Sequence, residues 1–317
     1  MEKMGKKANL AFTGVASFCR APIVKNLDDI VADIAVIGVP YDAGVTFWPG
    51  ARFGPKVIRD LSTRFSFFGV DPQRRGYWDI EQKKHFLKNV TLVDCEDVDV
   101  LYLDYDYVAQ NIEQSVEKII KKNAFPVVLG GDHSITYPIV RGLMSKGPFG
   151  IIQFDSHLDF RDSFMGVKYS HANPMKRSSE LDYVGKIIAL GIRGIRTVEE
   201  EYQQSIKAGN IVIPNFEIQE QGIEAVLARI PELGRYYVTI DIDVLDPVIA
   251  PGTGTPAAEG LNYTQLKKLL HGVAKKGEII GFDLVEVNPV IDTSYMTGFV
   301  AVRTIIEFLG AIFDNRK

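Results

Sequence analysis

The amino-acid sequence predicts a single-domain α/β protein of three layers, in which helices cover both faces of a doubly wound, mostly parallel sheet of about eight strands. Two observations carry this prediction. Short runs of apolar and β-branched residues alternate with longer stretches of helical periodicity along the chain, which indicates repeated β-α units. No repeat, low-complexity segment or Pro/Gly/Ser-rich linker divides the 317 residues.

The predicted strands are short and almost continuously apolar, as strands buried on both faces of a parallel sheet are. They span residues 33–39, 90–93, 126–129, 150–155, 186–192, 211–213, 236–241 and 279–286. Helical periodicity predicts helices over residues 55–65, 105–123, 138–145, 197–208, 217–229, 263–275 and 295–309. We expect an N-terminal arm over residues 1–30, followed by one domain over residues 31–317.

Composition excludes several classes of partner. The formal net charge is -4 and the basic residues are scattered, so no basic face predicts nucleic-acid binding. The two cysteines, Cys19 and Cys95, are far apart and form no CxxC motif, which favours a reducing compartment. No apolar segment suggests a signal peptide or a membrane span of roughly 20 residues. We therefore expect a cytoplasmic protein that binds neither nucleic acid nor a membrane.

Acidic residues and histidines follow three of the predicted strands. The segments are GGDHS (130–134), DSHLD (155–159) and DID (241–243), the last followed by Asp246. Loops at the carboxyl ends of parallel strands are where α/β proteins bind ligands. In an extended backbone, residues i, i+2 and i+4 point to one side. Asp155, His157 and Asp159 should therefore share a direction, and so should Asp241 and Asp243.

Metal ions explain this clustering of charge best. Buried carboxylates cost several kcal/mol each unless they are compensated. Taken singly, DxD is often a helix cap or a surface turn, and Asp132 in GGDHS could simply cap a helix. All three motifs at strand ends favour a metal site instead. Four carboxylates with two imidazoles suit manganese, and the number of ligands fits two ions about 3.5 Å apart.

The three motifs resemble those of the ureohydrolase family, which includes arginases, agmatinases, guanidinobutyrases and formiminoglutamases. The family motifs GGDHS, FDAHxDxxD and SxDxDxxDP stand here as GGDHS (130–134), FDSHLDFRD (154–162) and TIDIDVLDP (239–247). The resemblance extends from about residue 12 to the last helix and implies an arginase-like fold. It also implies a small-molecule guanidino substrate and a homo-oligomer, either a trimer or a hexamer.

By matching position, the resemblance assigns the metal ligands. It implies that His133 and Asp159 bind one Mn2+, that His157 and Asp243 bind the other, and that Asp155 and Asp241 bridge the two ions.

The resemblance also assigns residues to the substrate. Glu286, in VEVNP, matches the carboxylate that binds the substrate guanidinium. His171 matches the proton-shuttle histidine. Asp159 is expected to act as general acid and base, and Asp162 to contact the substrate.

Within the family, the sequence leans towards agmatinase. Residues 14–22 (GVASFCRAP), 36–59 and 251–256 (PGTGTP) resemble agmatinase segments. Residues 162–170 (DSFMGVKYS) do not match the arginase loop, which has a Ser and an Asn before the shuttle histidine. The chain departs from the family pattern at Ser156, where Ala is usual, and at residues 172–173 and 257–259. These departures leave the metal ligands in place but alter the walls of the substrate pocket.

The expected reaction is therefore hydrolysis of a guanidino group to urea and a primary amine. Agmatine, which would yield the polyamine putrescine, is the favoured substrate. Aminopropylagmatine, guanidinobutyrate and arginine remain alternatives, because Arg161 could bind an anionic tail while Asp162 and Glu259 could bind a cationic one. A formimino substrate is less favoured because residues 14–22 resemble the agmatinase arm. A single-zinc deacetylase and a non-catalytic relative are less favoured because every ligand of a two-metal site is present.

Overall fold

The computed structural model describes residues 11–66 and 76–316, and the centre of the molecule is an eight-stranded parallel sheet. The strands are β1 Ile34–Val39, β2 Tyr77–Asp79, β3 Lys84–Phe86, β4 Leu92–Asp97, β5 Phe125–Gly130, β6 Phe149–Phe154, β7 Val184–Ile192, β8 Ile211–Pro214, β9 Arg235–Asp241 and β10 Glu278–Val285. The order in the sheet is β4-β1-β5-β10-β9-β6-β7-β8, and each neighbouring pair is parallel. The predicted fold class is confirmed.

Helices flank this sheet. They are α1 Gly54–Ser62, α2 Tyr105–Lys121, α3 Thr136–Gly142, α4 Pro174–Ser178, α5 Glu199–Lys207, α6 Asn215–Gln221, α7 Ile223–Ala228, α8 Tyr263–Val273 and α9 Met296–Asn315. Apolar side chains of β1 alternate between two buried clusters: Ile34 and Val36 pack with residues of α1, α8 and α9, whereas Ala35 and Ile37 pack with residues of α2 and α3. The sheet is therefore covered on both faces.

Several boundaries differ from the sequence prediction. The hairpin of β2 and β3 is antiparallel and was not predicted, because strands of three residues are too short for periodicity to show. The short helix α4 was missed for the same reason. The predicted helix over residues 217–229 is divided into α6 and α7 by Gly222, whose φ of 80° and ψ of 166° are not helical. Helix α9 runs six residues beyond its predicted end.

Helix α9 corrects the expectation that no segment is apolar enough to span a membrane. By length and composition alone this 20-residue helix could do so. However, 61% of its most apolar window is buried inside the protein, where Ala301 and Ile305 pack in the core. Core helices of soluble proteins have the same composition, so the helix is weak evidence for a membrane.

The described part of the N-terminal arm packs against the sheet and α1. Phe18 is fully buried in the same apolar cluster as β1, and its backbone N–H donates to Asp94 of β4 at 2.6 Å. The Cys19 N–H donates to Ser62 at the end of α1 at 2.7 Å. Residues 1–10 of the predicted arm lie outside the described residues.

Candidate functional site

Four neighbouring strands in the middle of the sheet end at one edge, and the predicted site residues follow them. These strands are β5, β10, β9 and β6. Their ends are level, because the register pairs Val285 with Asp241 and Ile240 with Phe154. The fold therefore brings together segments that are spread between residues 130 and 286 of the sequence, at the edge where α/β proteins bind ligands.

The second glycine of GGDHS lets the first of these loops turn. The Gly131 N–H donates to Val39 O at 3.0 Å, and a Cβ on Gly131 would lie only 2.0 Å from Tyr41 O. No side chain other than hydrogen fits so close to the neighbouring backbone. This contact directs the chain after β5 so that His133 faces the ends of β6 and β9.

The imidazole of His133 lies among three carboxylates. Its Nδ1 atom is 3.1 Å from Asp155 Oδ2, 3.0 Å from Asp159 Oδ2 and 3.5 Å from Asp241 Oδ2. This nitrogen is buried and has no hydrogen-bond partner among the described residues. A buried imidazole nitrogen that faces three carboxylate oxygens is the arrangement expected around a cation.

A second group shares one member with the first. His157 Nδ1 lies 3.0 Å from Asp243 Oδ2 and 3.7 Å from Asp155 Oδ1. The potential ligand atoms of Asp155, His157 and Asp243 lie within 4.8 Å of one another, and so do those of His133, Asp155 and Asp241. Asp155 thus directs one oxygen towards each histidine, which suits a carboxylate shared by two ions. Asp241 belongs to one group only.

Hydrogen bonds behind His133 fix which ring nitrogen carries the proton. Nε2 lies 2.9 Å from Thr239 Oγ1, and Thr239 donates its hydroxyl proton to Asp283 Oδ1 at 2.6 Å. Asp283 also accepts from Thr136 at 2.8 Å and from Tyr237 at 2.5 Å. Because the Thr239 proton is already donated, Nε2 of neutral His133 must be the donor. Its Nδ1 then presents a lone pair to the three carboxylates.

Sequence reasoning missed these supporting residues. Gln153, which donates to Asp155 Oδ2 at 2.8 Å, lies within β6, Thr239 lies within β9 and Asp283 lies within β10. All three are fully buried. A single polar residue inside an otherwise apolar strand was the available signal, as in FGIIQF, RYYVTID and EIIGFDLV. Such a residue needs a buried partner. Gln153 and Thr239 bond to the candidate ligands Asp155 and His133, and Asp283 bonds to Thr239.

The electrostatics of the cluster show an excess of negative charge. Burial and the nearby carboxylates of Asp243 and Asp155 raise the pKa of Asp241 well above its ordinary value. Burial lowers the pKa of His133, but Asp155 and Asp159 outweigh it and hold that pKa well above the usual range. A divalent cation would supply the missing positive charge. Hard carboxylate oxygens with imidazole nitrogens suit Mn2+, Mg2+ or a similar ion, so the residues present fit a metal.

Glu286 and His171 adjoin this cluster. Glu286 Oε1 accepts from the His133 backbone N–H at 2.9 Å and lies 3.4 Å from His171 Nδ1. Its Oε2 atom is buried and has no hydrogen-bond partner among the described residues. His171 Nε2 lies 2.8 Å from Thr46 Oγ1. One oxygen of Glu286 is therefore held in place while the other is available to a donor.

Two of the predicted site residues have strained backbones. Asp159 has φ of 50° and Glu286 has φ of 65°, a left-handed conformation that costs non-glycine residues about 1–3 kcal/mol. The Glu286 N–H donates to Gly131 O at 2.8 Å, and Asp159 O accepts from Met175 N at 3.1 Å, which helps to hold both. Burial and the neighbouring Asp155 raise the pKa of Asp159 to about 6.

A cleft opens beside the cluster. Its lining includes His157, Asp159, Asp241, His171, Arg161, Arg196 and Glu201. The substrate residue predicted at Asp162 is not brought to this lining, because its carboxylate pairs with Arg177 at 2.5 Å. The exposed Glu259 also lies outside the lining. Of the predicted tail-binding residues, Arg161 alone lines the cleft.

The chain is similar to known proteins over most of its length. Residues 32–310 match the model of the arginase family. The agmatinase of Bacillus subtilis is 35% identical over 281 residues, which cover 88% of this chain and 91% of that protein. The guanidinobutyrase of Pseudomonas aeruginosa is 31% identical over 305 residues, which cover 94% and 92%.

A solved structure agrees with these matches. The proclavaminate amidino hydrolase of Streptomyces clavuligerus has a TM-score of 0.85 to this chain at 29% identity, covering 96% of this chain and 98% of that one. The fold and the sequence matches thus agree with the resemblance carried by the three motifs. The chain belongs to the arginase family and is an amidinohydrolase, which acts on C–N bonds.

Proposed function

We propose that this protein hydrolyses the guanidino group of a small linear substrate to urea and a primary amine at a centre of two Mn2+ ions. The observation that carries this proposal is the pair of ligand groups that share Asp155, placed beside the unpartnered oxygen of Glu286. A metal pair adjacent to a buried free carboxylate suits a cationic, planar substrate group.

His133, Asp159, His157 and Asp243 would hold the two ions, with Asp155 and Asp241 between them. When bound, such ions lower the pKa of a water molecule so that it can attack near neutral pH. The protein would support this chemistry by holding the metal ligands in fixed orientations. Thr239 and Asp283 hold the proton of neutral His133 on Nε2, so that Nδ1 can bind a metal, and Gln153 holds the Asp155 carboxylate.

Glu286 would bind and orient the substrate. A guanidinium group donates parallel hydrogen bonds to a carboxylate, and such charge-assisted pairs are both strong and directional. The Oε2 atom has no hydrogen-bond partner among the described residues, and Oε1 is positioned by the His133 N–H. The substrate carbon would then lie beside the Asp159 and His157 side chains that line the cleft.

Asp159 and His171 would move the protons. The Asp159 carboxylate lines the cleft and would accept a proton from the attacking water and return it to the leaving amine. The buried His171 contacts Thr46 through Nε2 and faces Glu286 through Nδ1. It lines the cleft, so it can pass protons between the site and solvent.

The relatives support a guanidino substrate but differ in what it carries at its far end. Their names refer to agmatine, which has a cationic tail, and to guanidinobutyrate, which has an anionic one. The agmatinase-like segments of the sequence favour agmatine, with putrescine as product. We also propose, from the resemblance, a cytoplasmic homo-oligomer whose catalytic unit spans residues 31–317.

A variant of Glu286 tests the role of this site. Glu286→Gln keeps the size of the side chain but removes the charge that would bind the guanidinium. We expect it to retain bound manganese and to lose most urea release, about 100-fold in kcat/KM. The matched control is Glu278→Gln at the opposite end of β10, which should keep full activity. Retained urea release in Glu286→Gln would contradict the assignment.

A further inference from the structure

Outside the candidate metal ligands, the charge without a partner in the lining of the cleft is positive. Apart from the candidate metal ligands, the charged residues of the lining include Arg161, Arg196 and Glu201. Two of these three neutralise each other, because Arg161 Nε contacts Glu201 Oε2 at 3.2 Å. His171 faces Glu286, so Arg196 carries the charge without a partner among the described lining residues, the candidate metal ligands aside.

Glu201 has no capacity left for a cationic group. Its side chain is buried, with 5% of its surface exposed. Oε1 accepts the backbone N–H of Phe160 at 3.0 Å and Oε2 accepts from Arg161 at 3.2 Å. The carboxylate thus joins the loop after β6 to the start of α5. The ammonium group of a substrate would have to displace Arg161 in order to pair with it.

Arg161 is a scaffold for Arg196. Its Nη2 donates to the backbone oxygen of Arg196 at 2.7 Å, and its guanidinium lies 5.0 Å from the centre of the Phe164 ring. Both contacts hold Arg161 in place and fix the loop after β7. The guanidinium of Arg196 itself is exposed, with no ion pair or hydrogen bond found within the described residues.

From these charges we propose that Arg196 binds a carboxylate at the far end of the substrate, so that the protein acts on guanidino acids in preference to guanidino amines. This proposal rests on the proposed function. A carboxylate fits best because its two oxygens match the paired N–H donors of a guanidinium. The substrate then spans the cleft between two charge pairs, its guanidinium at Glu286 and its carboxylate at Arg196.

The two acids that could receive a cationic tail are placed elsewhere. Asp162 is paired with Arg177, and Glu259 is absent from the lining as the structure describes it. Away from the candidate metal ligands, the ammonium of agmatine would therefore meet the charge of Arg196, which repels it. Loop resemblance favours agmatine, whereas the charges inside the cleft favour an anionic tail.

Three substrates of similar length separate these possibilities. Manganese-loaded protein is assayed for urea with 4-guanidinobutyrate, agmatine and the neutral butylguanidine. We expect kcat/KM for guanidinobutyrate to exceed that for agmatine by at least about tenfold. A preference for agmatine would overturn the tail assignment and leave the guanidino hydrolase in place. If none of the three released urea, the proposed function itself would fail, and this proposal with it.

Variants of Arg196 then test the residue. Arg196→Gln should lower kcat/KM for guanidinobutyrate about tenfold and leave that for butylguanidine within about twofold of the wild-type value. Arg196→Glu should reverse the preference in favour of agmatine. Arg235→Gln, an exposed arginine at the beginning of β9 and far from the cleft, is the control and should change nothing. Equal losses on all three substrates in Arg196→Gln would indicate a structural role and overturn the proposal.

Discussion

His133 Nε2 lies 2.9 Å from Thr239 Oγ1, and the Thr239 hydroxyl is itself committed to Asp283. When His133 is neutral, this order of donors places its proton on Nε2 and leaves the lone pair of Nδ1 facing three carboxylates. The tautomer that a metal at this site would require is therefore set by Thr239 and Asp283, which are not among the candidate ligands.

Thr239→Val should weaken metal binding while the protein stays folded. The substitution keeps the shape of the side chain but leaves the buried Nε2–H of His133 without an acceptor, at a cost of about 1–3 kcal/mol. We expect manganese affinity to fall about 10-fold to 100-fold, measured by calorimetric titration. Thr304→Val, a buried threonine of α9 that bonds to its own helix, is the control. Unchanged affinity in Thr239→Val would show that this hydrogen bond does not orient the ligand.

Asp155 should be indispensable for both ions. Its two oxygens face different histidines, so Asp155→Ala is expected to remove bound manganese and urea release together, and Asp241→Ala should do the same if it bridges. Elemental analysis after dialysis measures the metal. The control is Asp246→Ala, in the same TIDIDVLDP motif as Asp241. The Asp246 carboxylate accepts hydrogen bonds from the Val248 and Gly260 N–H groups and should not bind metal. Two metals retained in Asp155→Ala would contradict the ligand assignment.

Metal binding should release protons at neutral pH. Despite burial, the surrounding carboxylates raise the pKa of His133 and of His157, so both imidazoles hold protons in the metal-free protein below those raised values. A cation must displace these protons, and affinity for Mn2+ is therefore expected to rise with pH. Calorimetry in buffers of different ionisation enthalpy counts the protons. Binding at pH 7 with no proton release would be incompatible with these raised values.

The raised pKa values of His133 and His157 also determine how the stability of the metal-free protein changes with pH. A raised histidine pKa stabilises the folded state fully below the unfolded pKa, near 6.5, and this contribution disappears as pH rises through the folded value. Metal-free protein should accordingly lose stability at alkaline pH relative to the manganese-loaded form. Thermal unfolding of the two forms across this pH range measures the difference.

His171 should affect turnover and not metal content. Within the part of the chain that the structure describes, its side chain pairs with Thr46 and Glu286 and not with the candidate ligand atoms, and it lines the cleft. We expect His171→Ala to lower kcat on the order of 100-fold with both metals retained. His85→Ala, an exposed histidine that packs on Trp78 in the β2–β3 hairpin, is the matched control. If kcat stays unchanged from neutral to alkaline pH, His171 is not the shuttle.

The sequence predicted the sheet and the ligand cluster because both leave local signals. Continuous apolar runs indicated buried strands, and acidic and histidine motifs at their ends indicated the cluster. The predicted alternation was wrong in its reason, because Asp159 has a left-handed backbone and Asp243 lies in a 3-10 turn, so neither continues an extended strand. Thr239 and Asp283 left only a lone polar residue inside a strand, whose partner depends on which strands are neighbours. The placing of β10 between β5 and β9 is a long-range outcome that periodicity cannot supply.

The walls of the cleft were the least predictable part of the site. Asp162 and Arg161 are adjacent in sequence, yet one pairs with Arg177 and the other with Glu201. Arg196 gave no signal, because it lies in an exposed loop with no motif. Which charged loop residues form ion pairs depends on their neighbours in the folded chain. The sequence alone therefore did not show whether the substrate tail is cationic or anionic.

The number of manganese ions that support urea release tests the two-metal site most directly. Metal-free protein is titrated with Mn2+, and urea from a guanidino substrate is measured at each ratio of metal to chain. We expect activity to rise until two ions are bound per chain and then to stop rising. Full activity with one ion, or two bound ions with no urea from guanidinobutyrate, agmatine or butylguanidine, would contradict a two-metal guanidino hydrolase.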